Sequence, residues 1–243
     1  MKQFSRNLLL FGNEGHKILA KSCVSILGLG GVGSYACEAI ARSGVGKIVL
    51  IDKDIIEITN INRQLPATLN TIGRSKVELM EARIRKINPD CEIIKHEVFF
   101  NFHTYEEILK TSIDFFIDAS DTITFKILLI KECLKRKIPF ISVMGAANKM
   151  DPTKFEIADI KDTSYDPIAK IIRIKLRKEK ITGKVPVVYS KEKPIKSKFE
   201  AANGEVSPPA SNSFVPPVAG FIASSYAIRY LLSDIKFERN GEN

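Results

Sequence analysis

From residue 23 to residue 143, short runs of apolar and β-branched residues alternate with longer stretches in which apolar residues recur every three or four positions. The short runs predict five strands, at residues 23–27, 47–52, 92–98, 114–118 and 140–143. The longer stretches predict helices at residues 32–43, 75–88, 103–111 and 122–136. This alternation predicts an α/β fold with a doubly wound, mostly parallel sheet.

The pattern changes after residue 150, which divides the chain into a core at 1–150 and a C-terminal part of the same domain at 151–243. In the second part, a strand is predicted at 154–160, and Asp166-Pro167 predicts the start of a basic helix that ends near Lys178. Residues 181–217 are rich in Lys, Pro, Ser, Gly and Asn and predict a long crossover loop with one strand at 185–189. A closing helix is predicted at 218–232 and a frayed tail at 237–243.

Composition excludes several classes of protein. A chain of 243 residues with 44% apolar residues can bury a sizeable core. Its four cysteines are widely separated and include no C-x-x-C pair, which argues against a disulfide framework or a zinc knuckle and predicts reduced, buried thiols. The sequence shows neither a secretion signal nor an apolar run long enough to span a bilayer. We therefore expect a cytoplasmic protein without stable membrane insertion.

The net charge of +9 is concentrated in one region. Residues 161–198 contain twelve Lys and Arg but four Asp and Glu. Clustered cations bind polyanions by releasing the counterions of phosphate groups, so this segment is a candidate nucleic-acid surface. A solvated helix face and loop would explain the same charge, and composition does not separate the two interpretations.

A glycine-rich motif, GLGGVG, lies between the first predicted strand and the first predicted helix. Its glycines are Gly28, Gly30, Gly31 and Gly33. They would let the backbone approach phosphate groups, which the unpaired N–H groups at the start of the helix attract. Asp52, at the end of the next strand, is placed to accept a ribose hydroxyl. The motif predicts a Rossmann-like nucleotide site but does not distinguish NAD from ATP.

A polar cluster farther along the chain favours ATP, and its members are Asp54, Asn60, Arg63, Gln64 and Lys76. A carboxylate that attacks a triphosphate is repelled unless cations neutralise the developing charge, so an enzyme that makes an acyl-adenylate needs such a cluster. Arg63 and Lys76 are candidate catalytic residues, because a guanidinium fork and an ammonium can both hold phosphate oxygens. Asn60 and Gln64 are expected to orient their neighbours. With Asp54 and Lys76, they are candidate nucleotide-binding residues.

Two aspartates, Asp118 and Asp121, follow the fourth predicted strand, at the carboxyl edge of the sheet. Asp121 would suit Mg²⁺, a hard cation that prefers few carboxylates together with water and phosphate oxygens. An ion at that position would neutralise the pyrophosphate as it leaves. Either aspartate could instead cap the helix that follows.

These motifs resemble, in order and spacing, those of the ubiquitin-activating-enzyme-like superfamily, which includes the ThiF-, MoeB- and HesA-type adenylating enzymes. They are GLGGVG, D-x-D, NINRQ, G-x-x-K and D-x-x-D. The resemblance implies that Asp52 binds the ribose, that Arg63 and Lys76 bind the phosphates, and that Asp121 binds Mg²⁺. It also implies a homodimer in which Arg6, in the segment FSRN, is a third catalytic residue that reaches the ATP of the partner subunit.

Later segments resemble one family within this superfamily, the tRNA threonylcarbamoyladenosine dehydratases. The segments lie at 144–153, 163–167, 187–190 and 214–220, whereas residues 191–209 have no match. The resemblance implies ATP-driven cyclisation of the threonylcarbamoyl group on an adenosine beside the anticodon, through an acyl-adenylate that closes to a hydantoin ring. A tRNA substrate would also explain the basic segment.

Three other functions stay open. An adenylyltransferase that activates the C-terminus of a ubiquitin-like sulfur carrier shares the early motifs, but no cysteine follows Cys133 to accept sulfur. A nicotinamide dehydrogenase does not need the polar cluster, and a noncatalytic tRNA-binding scaffold would leave Arg63, Lys76 and Asp121 unexplained. The sequence does not establish whether a monovalent cation, Na⁺ or K⁺, orders the loop near Gly145. Nor does it establish whether a sulfur-transfer or cysteine desulfurase partner cooperates.

Overall fold

The computed structural model describes residues 2–196 and 209–237. Within these ranges the chain forms seven strands and seven α-helices, and none of the helices has the length and apolar character needed to cross a membrane. The strands are β1 Cys23–Leu27, β2 Lys47–Ile51, β3 Glu92–His96, β4 Phe115–Asp118, β5 Phe140–Val143, β6 Phe155–Asp159 and β7 Pro186–Ser190. The helices are α1 Ser5–Lys21, α2 Gly33–Arg42, α3 Lys76–Ile87, α4 Tyr105–Ile108, α5 Ile123–Arg136, α6 Pro167–Lys178 and α7 Val215–Leu231.

All of these strands belong to one sheet, in the order β3-β2-β1-β4-β5-β7-β6. Every neighbouring pair is parallel except β6 and β7, which are antiparallel. The strand order confirms the predicted doubly wound, mostly parallel sheet. The C-terminal part of the chain contributes β6 and β7 to this sheet, since β7 pairs with β5.

Helices cover both faces of the sheet and create two apolar cores. On one face, α2, α3 and α7 pack against alternate strand residues such as Val24 and Ile26. On the other face, α5, α6 and the short α4 pack against the intervening residues, such as Cys23 and Leu27. Parallel strands that are buried on both faces have continuous apolar sequences, which is why the apolar runs predict them.

The N-terminal helix α1 is not predicted by the apolar pattern. It spans Ser5–Lys21, bends at Gly12, where the backbone leaves helical geometry, and buries Gly15 and Leu19. Two glycines inside the helix, Gly12 and Gly15, hide it in the sequence, because glycine is unfavourable in a helix interior. Arg6 therefore lies on a helix and not in an irregular N-terminal segment.

Two other helices differ from their predicted bounds. The closing helix starts three residues early, at Val215, because Pro216 and Pro217 fit a first turn that does not need their missing N–H groups. The Asn212 Oδ1 atom accepts the Val215 N–H at 2.8 Å and helps to fix this start. The predicted helix at 103–111 is reduced to one turn, α4. Parts of the predicted crossover loop and tail, residues 197–208 and 238–243, lie outside the described residues.

The four cysteines are free and buried, which confirms the expectation from composition. Burial raises the pKa of Cys91 to about 11 and that of Cys23 to about 12. These thiols are protonated at neutral pH and are not poised as nucleophiles.

Candidate active site

A cleft of about 750 Å³ opens at the carboxyl edge of the sheet, where the strand order reverses between β1 and β4. Doubly wound folds bind their ligands at this point. The loops that follow β1, β2, β4 and β5 form much of its wall. The predicted site residues that line it are Gly28, Gly30, Gly31, Asp52, Asp54, Arg63, Gln64, Lys76 and Asp121. Gly33, Asn60 and Arg6 are not among the lining residues.

The glycine loop connects β1 to α2 with little room for side chains. Gly28 has a left-handed φ of 84°, and a Cβ atom there would lie 2.8 Å from the Ala119 carbonyl oxygen. At Gly33, a Cβ atom would overlap the carbonyl oxygen of Gly28. Gly33 therefore permits the close approach of α2 to the loop, while Gly30 and Gly31 present backbone to the cleft.

Replacement of Gly33 by alanine is expected to lower the free energy of unfolding by about 1–3 kcal/mol, because overpacking against a backbone carbonyl forces α2 away from the loop. Gly30 is the matched control, since a Cβ atom there would meet the Gln64 side chain at 3.8 Å, an ordinary contact distance. We expect Gly30→Ala to keep the stability of the wild type and to weaken ATP binding. Urea denaturation and ATP titration measure both quantities. Equal stability of the two variants would contradict the packing role of Gly33.

Asp52 is fixed beside the glycine loop, directly after β2. Its carboxylate accepts the N–H of Leu29 at 2.6 Å and the N–H of Asp54 at 2.8 Å. Burial raises the pKa of Asp52, against the opposing effect of the Lys76 ammonium and of these two hydrogen bonds. A carboxylate has about four acceptor sites, so lone pairs are left for a ribose hydroxyl.

Lys76, the first residue of α3, is only 5% exposed, and its Nζ atom lies 3.1 Å from the Asp54 carboxylate. The Ser75 hydroxyl caps α3 by accepting the Glu78 N–H at 3.3 Å, which fixes the start of the helix. Lys53 contacts the other oxygen of Asp54 at 3.1 Å. Partial burial raises the pKa of Asp54, but the two lysines outweigh it, and the net shift of this pKa is downward. Asp54 is therefore ionised at neutral pH and holds the Lys76 ammonium in the cleft.

The NINRQ motif divides its side chains between supporting the fold and facing the cleft. Asn60 is buried, and its Oδ1 atom accepts the Glu57 N–H at 3.2 Å, so it caps a short helical turn. Arg63 donates through Nη1 to the Thr59 carbonyl at 2.9 Å and to the Asn62 Oδ1 atom at 2.8 Å. Both bonds use Nη1, which orients the guanidinium and leaves Nε and Nη2 to donate to phosphate oxygens.

Gln64 is buried beside the glycine loop and lines the cleft. Its Oε1 atom makes no hydrogen bond with any described residue. A buried amide oxygen without a partner lowers stability unless a ligand or a water molecule donates to it. This atom is therefore a candidate contact for the nucleotide.

The two aspartates after β4 have different environments. Asp118 is fully buried and accepts hydrogen bonds from the Lys126 ammonium at 3.1 Å and the Ser142 hydroxyl at 2.6 Å. Asp121 is exposed at the cleft and accepts a hydrogen bond from the adjacent Thr122 hydroxyl at 3.2 Å. Thr122 is the N-cap of α5 and no side chain caps this helix, so the helix-cap interpretation of the aspartates is wrong.

Asp121 fits a cation that is bound together with phosphate. Within the described ranges, no group of three or more His, Cys, Asp and Glu could hold a metal ion. Mg²⁺ at a triphosphate needs only one or two carboxylates, because water and phosphate oxygens complete its shell. The single carboxylate at this end of the cleft therefore suits Mg²⁺ bound with ATP and not a metal site made by protein alone.

Sequence reasoning missed the aromatic wall of the cleft. Phe99 and Phe100 follow β3 and line the cleft, and the Lys53 ammonium lies 4.1 Å from the centre of the Phe99 ring. Phe99 also packs on Phe125 with their ring centres 6.0 Å apart. These residues follow a strand at the carboxyl edge, as Asp52 does, and this position is the signal that could have indicated them. An apolar wall of this kind suits a planar base.

The crossover loop is attached to the rim of the cleft on both sides of residues 197–208. Asn148, with a left-handed φ of 58°, donates its N–H to the Ala210 carbonyl and accepts the Ala210 N–H at its Oδ1 atom, both at 2.8 Å. The Asn148 carbonyl accepts the Ile195 N–H, also at 2.8 Å. Asn62 of the NINRQ motif donates to the carbonyl of Ser211 at 3.1 Å, and Ser211 lines the cleft.

The cleft thus places an oriented guanidinium and a buried ammonium beside a glycine loop that admits phosphate groups. In a partly enclosed site, such fixed cations stabilise charge that develops on a triphosphate far better than solvated cations do. The fold and the cleft define a Rossmann-like, ATP-binding protein of the ubiquitin-activating-enzyme-like class. A model of the ThiF family matches residues 4–238, and the chain belongs to this family.

Two tRNA threonylcarbamoyladenosine dehydratases resemble the chain over nearly its whole length. It is 54% identical to the tRNA threonylcarbamoyladenosine dehydratase of Bacillus subtilis (strain 168), over 98% of each chain. The structure of the Escherichia coli tRNA N6-threonylcarbamoyladenosine dehydratase, TcdA, in complex with ATP matches with a TM-score of 0.87 and 32% identity, over 96% of this chain and 95% of that one. The adenylyltransferase and sulfurtransferase MOCS3 of Drosophila willistoni is 36% identical, but over 61% of this chain and 32% of its own length.

Proposed function

We propose that this protein is an ATP-dependent tRNA threonylcarbamoyladenosine dehydratase, which cyclises the threonylcarbamoyl group of the modified adenosine to a hydantoin. The observation that carries the proposal is the 54% identity to the Bacillus subtilis dehydratase over 98% of the chain. This similarity includes the C-terminal part, which supplies β7 and the cleft residue Ser211. The function therefore rests on more than the nucleotide site that all adenylating relatives share.

The reaction starts when the threonyl carboxylate attacks the α-phosphate of ATP, which forms an oxygen–phosphorus bond and releases pyrophosphate. The Arg63 guanidinium and the Lys76 ammonium neutralise the charge that develops on the phosphates, while Asp52 holds the ribose. A nitrogen on the carbamoyl side then attacks the acyl carbon, loses its proton and displaces AMP. AMP carries away the carboxylate oxygen, so the ring closes with the net loss of one water. Adenylation is required because AMP is a far better leaving group than hydroxide.

The proposal includes Mg²⁺ at Asp121. The support is the position of this exposed carboxylate in the cleft, on the loop after β4. When bound, Mg²⁺ supplies charge neutralisation to the pyrophosphate. Asp118 does not compete for the ion, because its carboxylate is buried against Lys126.

An adenylyltransferase for a sulfur carrier is less well supported. The four cysteines are buried, and burial raises the pKa values of their thiols, which disfavours a sulfur-accepting thiolate. The match to the Drosophila willistoni adenylyltransferase and sulfurtransferase also covers only 61% of this chain. The dehydratase reaction needs no cysteine, and it therefore agrees better with the chemistry of the described residues.

We also propose a homodimer in which Arg6 acts in the site of the partner subunit. Arg6 is exposed on α1 and is not a lining residue of its own cleft. Beside it on the same helix, Leu9 and Leu10 are 80% and 67% exposed, which supports an interface on this helix.

Subunit mixing tests this arrangement. Neither Arg6→Ala nor Lys76→Met protein should be active alone, but an equal mixture should recover activity up to about a quarter of the wild-type value if subunits exchange at random and each site acts independently. In the mixed dimer, one site combines an intact Lys76 with Arg6 from the partner. Sedimentation velocity measures the assembly, and ATP turnover measures the recovery. A mixture of exchanged subunits that stays inactive would contradict action across the dimer.

Three further predictions belong to the same proposal. The first is a monovalent cation, Na⁺ or K⁺, near Gly145, which is supported by the buried Asp166 carboxylate, whose Oδ2 atom lies 3.5 Å from the Cβ position of Gly145. The second is a cytoplasmic location, which we predict because the proposed substrate is a tRNA. A sulfur-transfer or cysteine desulfurase partner is not needed for the chemistry and stays a prediction from the resemblance.

The basic helix α6 is the surface that we assign to tRNA. Its inner face packs in the apolar core through Ala169, Ile172 and Leu176. Its exposed cations are Lys170, Lys175, Arg177 and Lys178. A helix that presents this much positive charge beside a nucleotide cleft suits the phosphate backbone of an RNA substrate.

Replacement of Lys175 by alanine should weaken tRNA binding and reduce its salt dependence, because one phosphate contact fewer releases fewer counterions. The slope of log K against log salt concentration should fall in magnitude by about 0.7–0.9. Lys86→Ala is the matched control, since Lys86 is an exposed residue of α3 on the opposite face of the sheet. Filter binding at several salt concentrations measures the slope. An equal change of this slope in Lys175→Ala and Lys86→Ala would contradict a tRNA surface on α6.

The proposed function is tested by incubation of the protein with ATP and tRNA that carries threonylcarbamoyladenosine, followed by mass spectrometry of the digested nucleosides. We expect the modified nucleoside to lose one water only when ATP is present, together with formation of AMP and pyrophosphate. Lys76→Met and Asp121→Asn serve as inactive controls. Undiminished ATP binding without any change in nucleoside mass would overturn the dehydratase function and direct the search to pyrophosphate exchange with sulfur-carrier proteins.

A further inference from the structure

Tyr165 has a left-handed backbone conformation, which is uncommon for a bulky residue. Four residues other than glycine have a left-handed φ in the described ranges. Lys137 and Lys180 follow the ends of α5 and α6, where this conformation commonly closes a helix, and Asn148 is of a residue type that tolerates it. Tyr165 has a φ of 56° in the turn before α6, and a bulky residue in that conformation is strained. Strain of this kind concentrates at binding and catalytic sites.

Fixed residues on both sides hold Tyr165 in this conformation. Asp166 is buried and caps α6 by accepting the Ala169 N–H at 3.0 Å. Thr163 is also buried, and its hydroxyl accepts a hydrogen bond from Arg173 at 2.7 Å. Between these anchors, Tyr165 is 60% exposed, so burial of its ring does not offset the strain. The turn holds an aromatic ring out toward solvent.

The turn that presents Tyr165 adjoins the nucleotide cleft. Ile168, three residues later, lines the cleft, as does Gly145. The Asp166 Oδ2 atom lies 3.5 Å from the position that a Cβ atom of Gly145 would occupy, so the residue next to Tyr165 packs against the cleft wall. The Lys193 ammonium lies 5.2 Å from the centre of the Tyr165 ring. An exposed ring, a nearby ammonium and the basic face of α6 therefore lie together beside the cleft.

We propose that Tyr165 stacks on an unpaired base of the tRNA anticodon loop, next to the modified adenosine that enters the cleft. This inference rests on the proposed function and names one point at which the substrate is held. Proteins recognise single-stranded RNA by stacking splayed bases on aromatic side chains while nearby cations contact the phosphates. Every base has a flat face, so this contact contributes affinity and position rather than sequence discrimination.

Four variants distinguish the contribution of the Tyr165 ring to tRNA binding from the effect of its left-handed backbone conformation. Tyr165→Leu removes the ring and keeps the left-handed strain, Tyr165→Gly removes both, and Tyr165→Phe and Tyr165→Trp keep an aromatic surface. We expect the KM for modified tRNA to rise about tenfold in the first two variants and to change less than about twofold in the aromatic ones. The KM for ATP should stay unchanged, and Tyr165→Gly should unfold at or above the wild-type temperature. Tyr230→Leu is the matched control, because Tyr230 is a 47% exposed tyrosine that packs on Phe115 at the start of β4, at the edge of the sheet opposite the cleft.

A spectroscopic measurement reports stacking directly. An anticodon stem-loop RNA with 2-aminopurine beside the modified adenosine should lose fluorescence on binding to the wild type and to Tyr165→Phe, but not to Tyr165→Leu. Wild-type KM values in Tyr165→Leu and Tyr165→Gly, or an equal rise in Tyr230→Leu, would overturn the stacking role and leave the dehydratase function intact. If the wild type forms no dehydrated product, the proposed function fails and the stacking role fails with it.

Discussion

Replacement of Lys76 by methionine is expected to reduce kcat/KM for ATP-dependent dehydration by about 10²–10³-fold, the loss that follows removal of one preorganised donor from a charge-stabilising site. The Lys76 Nζ atom lies 3.1 Å from the Asp54 carboxylate and is almost inaccessible to solvent, so this donor is held in position before ATP binds. Methionine keeps the apolar stem and removes the charge. Asp54 is half exposed and retains Lys53 as a partner at 3.1 Å, so the fold should stay intact.

A control on the same helix tests whether the effect on kcat/KM depends on the position of the lysine in the cleft. Lys86→Met changes the same charge near the other end of α3, where the side chain is exposed, and should leave kcat/KM unchanged. Rapid-quench measurement of pyrophosphate release shows whether the fall in kcat/KM arises in the adenylation step. Lys76→Met should be slow in this step, with a smaller change in the Kd for ATP. Release of pyrophosphate at the wild-type rate would show that Lys76 does not act in the adenylation step.

The largest effect on stability is expected at Asp118, which does not line the cleft. Asp118→Ala would leave the Lys126 ammonium, 1% exposed, without its counterion, and should lower the free energy of unfolding by about 3–5 kcal/mol. Asp121, three residues later, is exposed. Asp121→Ala should therefore change stability by less than about 0.5 kcal/mol while it abolishes turnover. Urea denaturation of both variants gives the comparison.

Removal of both buried charges tests the cause of this effect. The double variant Asp118→Ala with Lys126→Met should recover much of the lost stability, because no unpaired charge then remains in the interior. A double variant as unstable as Asp118→Ala alone would assign the effect to packing and not to the unpaired ammonium.

The sequence predicts the sheet and the position of the cleft because each produces a recognisable pattern over a short stretch of residues. Strands buried on both faces are continuous apolar runs, and the glycine motif with Asp52 marks the loops after two neighbouring strands. Helix α1 is harder to predict, because Gly12 and Gly15 lie inside it and glycine disfavours a helix interior. The helix forms because Leu19 is buried in the core and Phe11 and Ile18 pack against it, which are tertiary contacts that the sequence does not display.

The separate roles of similar polar residues depend on contacts that the sequence does not display. Asn60 and Arg63 belong to one motif, yet the conformation of the turn makes Asn60 its cap and leaves Arg63 at the cleft. Lys126 would be read as an exposed residue of a helix. Its burial against Asp118 arises because the ends of β4 and β5 bring Asp118 and Ser142 beneath α5. Such tertiary pairs can be found only when the strands have been assembled.

Because both ends of the crossover loop are attached at Asn148, the geometry of the cleft should depend little on the length of this loop. Ile195 and Ala210 are both hydrogen-bonded to Asn148, so the chain leaves and returns at nearly the same point. When the ends of a loop are fixed together, each doubling of its length costs only about 0.6 kcal/mol in closure entropy. We therefore expect the cleft to tolerate changes in the length of the chain between these two positions, provided that Pro209, which lines the cleft, is kept.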